Sequence, residues 1–99
     1  VIDISNRASP TIIGSVSDAS AMNAASAVAV SGSYAYVTGQ GSDTLAVVDA
    51  TDPANPFVAG SVSSTSAMDY PTGVAALGSY AYVVGLFSNS LAVVDSSDP

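Results

Sequence analysis

Displaced by 46 residues, positions 1–53 of this chain fall on positions 47–99 without a gap, and 28 of those 53 pairs are identical. The blocks GSYAYV, at Gly32 and Gly78, and LAVVD, at Leu45 and Leu91, recur unchanged. So do GSVS, at Gly14 and Gly60, and SAM, at Ser20 and Ser66. A period of this length marks a repeat architecture, in which one supersecondary unit cannot bury its faces alone and leans on its neighbours. The chain therefore divides into a unit at 1–46, a second at 47–92 and the opening of a third at 93–99.

Four segments per period read as strands. In the second copy GVAAL (73–77) is followed by Gly78-Ser79, a Gly-X pair suited to a two-residue type II′ turn because glycine tolerates positive φ at the first central position. YAYVVG (80–85) follows, rich in β-branched and aromatic residues, and a polar loop at 88–90 leads into LAVVD (91–95). FVAGSVS (57–63) is the fourth, entered through DATDPANP, where Asp52-Pro53 opens a turn and Pro56 stands at a strand start. No segment holds a 3.6-residue apolar period, so helices are not expected. AYVV and LAVV are apolar on both faces, which predicts strands covered on both sides by stacked sheets. Two uncharged windows, 19–42 and 70–94, are long enough to span a bilayer. Gly-Ser pairs and polar clusters break both, so they read as hairpin strands and no membrane insertion is expected.

LAVVD, then DPANP, a GSV strand, the SGSYAYV hairpin and LAVVD again resemble the LVIVD repeat, over the whole chain. The strongest matches are the two LAVVD blocks, the Gly-Ser hairpins and the Asp52-Pro53 and Asp98-Pro99 turns. Asn6-Arg7 departs from the pattern where Asp-Pro is expected, which leaves the turn there in question. The resemblance implies an all-β fold of tandem four-stranded antiparallel blades of a β-propeller, in secreted or surface proteins of bacteria and archaea. In that frame the chain begins with third and fourth strands, runs through a full blade and ends on a third strand. Since propellers close with about four to eight blades, the expected partners are neighbouring repeats or copies of itself, in a homo-oligomer or a longer chain.

Composition narrows the chemistry. Only 9% of residues are charged, against roughly a quarter in an average soluble protein, and they comprise eight Asp and one Arg. A net charge of −7 excludes the basic footprint of a nucleic-acid binder and suits an extracellular or cell-surface setting. Polarity comes instead from 18 Ser and 6 Thr, which hydrate a surface without charging it. With no His, Cys, Lys or Glu, general acid–base and nucleophilic catalysis lack their usual groups, so the chain reads as non-enzymatic and without a cofactor. Asp3, Asp49 and Asp95 share one repeat position and are expected to do one job three times, accepting backbone N–H bonds from the turn that follows. Asp49, Asp52 and Asn55 could supply oxygen ligands to calcium, but turn formation accounts for the same residues and no metal site is expected.

The loops before each first strand are the candidate partner surface, through Met22 and Asn23 in one copy and Met68, Asp69 and Tyr70 in the other. Anchoring of the loop by Met and Tyr is the competing role. No Asn-X-Ser/Thr sequon is present, while O-glycosylation of serine-rich loops such as 61–66 stays open. The composite expectation is a structural or interaction protein, self-assembling as a surface or filament subunit. The alternatives are a two-blade lectin-like module that oligomerises into a closed ring and a fragment of a propeller hydrolase.

Overall fold

The computed structural model describes residues 1–97, all-β with no helix among them; the expected turn at Asp98-Pro99 lies outside the described residues. Nine strands form three antiparallel sheets. A ribbon pairs β1 (Ile2–Asp3) with β2 (Thr11–Ile12). A four-stranded meander follows, of β3 (Ala25–Ser31), β4 (Tyr34–Gly39), β5 (Thr44–Asp49) and β6 (Phe57–Ser63). The last sheet holds β7 (Pro71–Leu77), β8 (Tyr80–Gly85) and β9 (Ser90–Asp95). The period is indifferent to where it is cut, and the sheets cut it after Ala24 and Tyr70. Both of these residues carry positive φ, 54° and 55°, where the chain leaves one sheet for the next.

Local chemistry explains the meander. Gly32 and Gly78 hold φ of 60° and 59° while the serines after them stay outside the positive-φ region, the sign pattern of a type II′ turn. The flanking pairs Ser31↔Tyr34 and Leu77↔Tyr80 close directly on those turns. No atom lies within 4 Å of a β-carbon built on either glycine, so backbone conformation alone demands glycine there. The same bulge recurs in both copies, between Ala25 and Ala27 and between Pro71 and Gly73. A further bulge between Val47 and Val48 lets β6 bend along β5.

The core lies between the two larger sheets, where β7 packs against β3 and β4. Tyr36, Leu45 and Val47 on one face of the four-stranded sheet meet Ala81 and Val83 of the next, with Met68 completing the cluster. Tyr34, Val74, Ala76, Ala92 and Val94 surround it. Register makes this contact directional. On the four-stranded sheet the contacting face is Tyr34, Tyr36, Leu45 and Val47; on the three-stranded sheet it is the opposite face, Val74, Ala76, Ala81, Val83, Ala92 and Val94. One sheet thus presents its front and the other its back.

The expected two-sided coverage holds for one copy of LAVVD and fails for the other. Every residue of β5 from Thr44 to Val48 is buried, whereas β9 alternates, with Leu91 and Val93 each 61% exposed. The cause is position: a sheet covers the front of β5, and among the described residues no sheet covers the front of β9. Leu45→Ala should therefore destabilise the monomer by about 2–5 kcal/mol. Leu91→Ala, the same change in the same sequence block, should cost no more than about 0.5 kcal/mol. Chemical denaturation of both variants at high dilution checks the pair, and equal losses would contradict the asymmetry.

Candidate functional site

The loops that precede β3 and β7 are built alike. Met22 N–H donates to the Asp18 carbonyl at 2.8 Å and Met68 N–H to the Ser64 carbonyl at 2.9 Å, closing one helical-type turn in each. The Asp18 carboxylate accepts the N–H groups of Ser20 and Ala21 at 2.9 and 3.0 Å; in the second copy the Ser64 hydroxyl accepts Ala67 N–H at 3.1 Å. Each loop is then tied to its own sheet by a hydroxyl. Thr44 Oγ1 donates to the Ala21 carbonyl at 2.6 Å, and Ser90 Oγ donates to the Ala67 carbonyl at 2.7 Å. Gly39 and Gly85 make room for these contacts, since a β-carbon on Gly39 would sit 2.7 Å from Thr44 Oγ1 and one on Gly85 would collide with the Ser88 hydroxyl.

The five candidate residues do not form one site. Met22 and Asn23 line an open groove of about 430 Å³ with Val16, Ser17, Asp18 and Ala25. Asn23 also accepts the N–H of Gly41 on its backbone carbonyl at 3.0 Å. Met68, expected as a partner contact, is 1% exposed and belongs to the core, so it is corrected to a loop anchor. Asp69 is half-buried, its N–H directed at Ser88 Oγ at 3.4 Å and its carbonyl accepting Phe87 N–H at 3.1 Å. Tyr70 is 38% exposed and tilts against Phe87 with ring centroids 5.0 Å apart. Met22 and Met68 occupy one repeat position, and Met68 alone is covered by a neighbouring sheet.

The Asp triplet does what its spacing predicts. Asp3, Asp49 and Asp95 each accept, on Oδ1, the N–H two residues on: Ser5 at 2.9 Å, Thr51 at 2.9 Å and Ser97 at 2.8 Å. The departure at Asn6-Arg7 leaves the following turn intact, because Asn6 Oδ1 accepts Ala8 N–H at 3.2 Å just as Asp52 Oδ1 accepts Ala54 N–H at 3.1 Å. Asp52 Oδ2 also takes the Asn55 side-chain amide at 3.0 Å. Among the described residues no group of three or more His, Cys, Asp or Glu is placed to hold a metal ion.

Residue-by-residue reading missed the hydroxyl seam between the sheets. Ser26 Oγ donates to the Pro71 carbonyl and Ser31 Oγ to the Gly78 carbonyl, both at 3.1 Å. Tyr36 OH bonds Ser96 Oγ at 2.8 Å. Asp43 Oδ1 accepts Tyr70 N–H at 2.8 Å, joining a positive-φ residue of one sheet to a positive-φ residue at the entrance of the other. Serine content was visible in the sequence, but its role as glue was not, because Ser26, Ser31 and Ser96 are replaced at their repeat equivalents by Thr72, Leu77 and Ala50.

This geometry, stacked meanders with Asp-closed turns, is that of a β-repeat protein. The chain belongs to the LVIVD-repeat family, whose description, LVIVD repeat, matches residues 1–18, 23–64 and 70–99. No curated protein matches the chain, and no solved structure does.

The turn carboxylates also set an acid limit. Backbone and hydroxyl donors of Ser5 lower Asp3, the hydroxyl and N–H of Thr51 lower Asp49, and the N–H and hydroxyl of Ser97 lower Asp95. Asp18 is lowered by the Ser20 hydroxyl and the N–H groups of Ala21 and Ser20. A carboxyl held lower in the folded chain than in the unfolded one adds stability above its ordinary value. That contribution fades as pH falls through the folded value. Thermal midpoints should thus decline below about pH 4. Asn at positions 3, 49 and 95 keeps the Oδ1 acceptor without titrating, so the triple variant should show a shallower decline. An unchanged acid slope in that variant would rule the mechanism out.

Proposed function

We propose that this protein is a non-enzymatic structural or interaction module of the extracellular space or cell surface, and that its work is the stacking of LVIVD repeats. In this reading its sheets are blades of a β-propeller or subunits of a filament, assembled front to back. One observation carries it: the front formed by Tyr34, Tyr36, Leu45 and Val47 is a buried interface, and its equivalent, Tyr80, Tyr82, Leu91 and Val93, includes side chains 46–61% exposed. An apolar face of that kind, repeated from a buried one, fits an interaction surface better than a solvent boundary. A surface with one Arg, no Lys and a net charge of −7 supports an extracellular setting and leaves association to apolar burial.

The lectin-like alternative finds its best support in the groove at Met22 and Asn23, whose rim carries Ser17 and Asp18. The assembly reading is tested by light scattering over a concentration series. Self-association should appear for the wild-type chain, and Val93→Lys should abolish it while leaving the melting temperature of the dilute protein unchanged. A wild-type chain that stays at 9.7 kDa throughout would overturn the proposal.

A further inference from the structure

Four differences between the two copies meet at one place. Each copy ties the entrance of its first strand to the turn after its second by the same pair of backbone bonds. In one, Gln40 N–H donates to the Ala24 carbonyl at 3.2 Å and Gly41 N–H to the Asn23 carbonyl at 3.0 Å; in the other, Leu86 N–H donates to the Tyr70 carbonyl at 3.2 Å and Phe87 N–H to the Asp69 carbonyl at 3.1 Å. On this shared frame the second copy carries Tyr70 where the first has Ala24, and Phe87 where the first has Gly41. Their rings are 5.0 Å apart between centroids and tilted by 41°, and Phe87 is 65% exposed. Two carboxylates join them. Asp69 stands where the first copy has Asn23, and Asp43, whose Oδ1 accepts Tyr70 N–H at 2.8 Å, stands where the second has Asn89.

The fold requires none of the four. Tyr70 holds φ of 55°, a region an aromatic residue enters at a cost, and Ala24 serves the same frame at 54°. Asparagine at position 43 would keep both the Oδ1 acceptor and the positive φ, as Asn89 shows at 51°. Gly41 lies directly under Asn23, a β-carbon there standing 2.8 Å from Asn23 Cγ, so Phe87 keeps the Asp69 side chain out of the corresponding position. Exposure of Phe87 is a property of the frame, since Gly41 is exposed although the three-stranded sheet packs against its own.

We propose that Tyr70 and Phe87, with Asp43 and Asp69, form a platform for an arginine side chain of another protein. Charge complementarity names the class of partner. One Arg in the whole chain cannot neutralise both carboxylates, and covering them with a neutral partner would take them from water without compensation. A cation over the rings is drawn by the ring quadrupole as well as by the acids. Guanidinium suits the platform better than ammonium, because its flat face stacks on an aromatic ring while its edge donates in a fork to carboxylate oxygens. The platform is open, so a polypeptide segment lying across it supplies contact area that a free cation cannot. None of the four residues belongs to the stacked sheet faces, and the contact is independent of the stacking role given above.

Each residue has its replacement in the other copy, which separates binding from folding. Asp43→Asn with Asp69→Asn, and Tyr70→Ala with Phe87→Gly, install the residues of the equivalent positions, and both proteins should melt as the wild type does. The probe is a labelled peptide of alternating Arg and Gly, titrated with the full chain by fluorescence anisotropy. Either variant should weaken its binding at least about tenfold. Asp49→Asn with Asp95→Asn removes the same charge elsewhere and should weaken it less than about twofold. A Lys-Gly peptide should bind more weakly than the Arg-Gly one. No binding to the wild-type chain, or an equal loss in the Asp49→Asn, Asp95→Asn protein, would overturn the platform. So would binding of a neutral oligosaccharide in place of the peptide, abolished by Tyr70→Ala with Phe87→Gly. Self-association of the wild type that disappears in the Asp43→Asn, Asp69→Asn protein would give the site to Arg7 of a second copy and overturn the proposal.

Discussion

Everything in this fold depends on the coverage of one apolar sheet face by the back of the next sheet. The strands carry too few charges to be held by ion pairs, and a two-residue hairpin turn organises a meander without giving it a core. A single meander of this width would leave its apolar sides in water. Stacking front to back removes Leu45, Val47 and Tyr36 from solvent at once. Full burial of each such side chain is worth about 1.5–3 kcal/mol. The small residues on the back, Ala76, Ala81 and Ala92, let the larger front residues approach. Size complementarity of this kind makes the contact directional, since front against front would crowd Tyr on Tyr and back against back would leave voids.

Polar satisfaction is handled without charge. Within the described residues no buried side-chain nitrogen or oxygen is left without a hydrogen-bond partner. Thr38, fully buried, is met by Ser26 Oγ at 2.8 Å, and Thr44 by the Ala21 carbonyl. Hydroxyls suit this work because one group both donates and accepts, and its removal from water costs far less than that of an ion. The carboxylates are kept at the exposed turns, where they accept N–H groups that a strand ladder cannot reach. Serine richness in this chain is therefore structural as well as solvating, and the loop-to-sheet ties at Thr44 and Ser90 are its clearest expression.

Much of this was legible in the sequence. The type II′ turns at Gly32 and Gly78, the strand at Phe57–Ser63, the meander of YAYVVG and LAVVD, and the Asp3, Asp49 and Asp95 turn bonds all follow from local chemistry, which identical segments share. Coverage was not legible. Leu45 and Leu91 share LAVVD, and Met22 and Met68 share SAM, yet which neighbour lies over each is a non-local property. The expectation that Met68 meets a partner failed for that reason: the loop that looks like a rim from the sequence becomes a plug wherever another sheet precedes it. The hydroxyl seam was hidden from the other direction, because a bond between sheets joins Ser26 to a carbonyl 45 residues away, and nothing in the composition distinguishes it from a surface serine.

Near-identity between repeats raises a problem of specificity, since residues 11–17 and β6 are rival partners for β5. Loop closure decides the contest. β6 reaches β5 through the short turn that Asp49 and Asp52 close, an encounter within a few residues whose entropic cost is small. Residues 11–17 are further restrained by Gly14, where any β-carbon would run into the Pro53 carbonyl and come within 3.0 Å of Pro56. That close approach holds the segment beside the four-stranded sheet, across from its back, instead of on the edge of β5. The pairing of β6 on β5 is thus local and independent of concentration, so a sequence that says the same thing twice can still fold in one order.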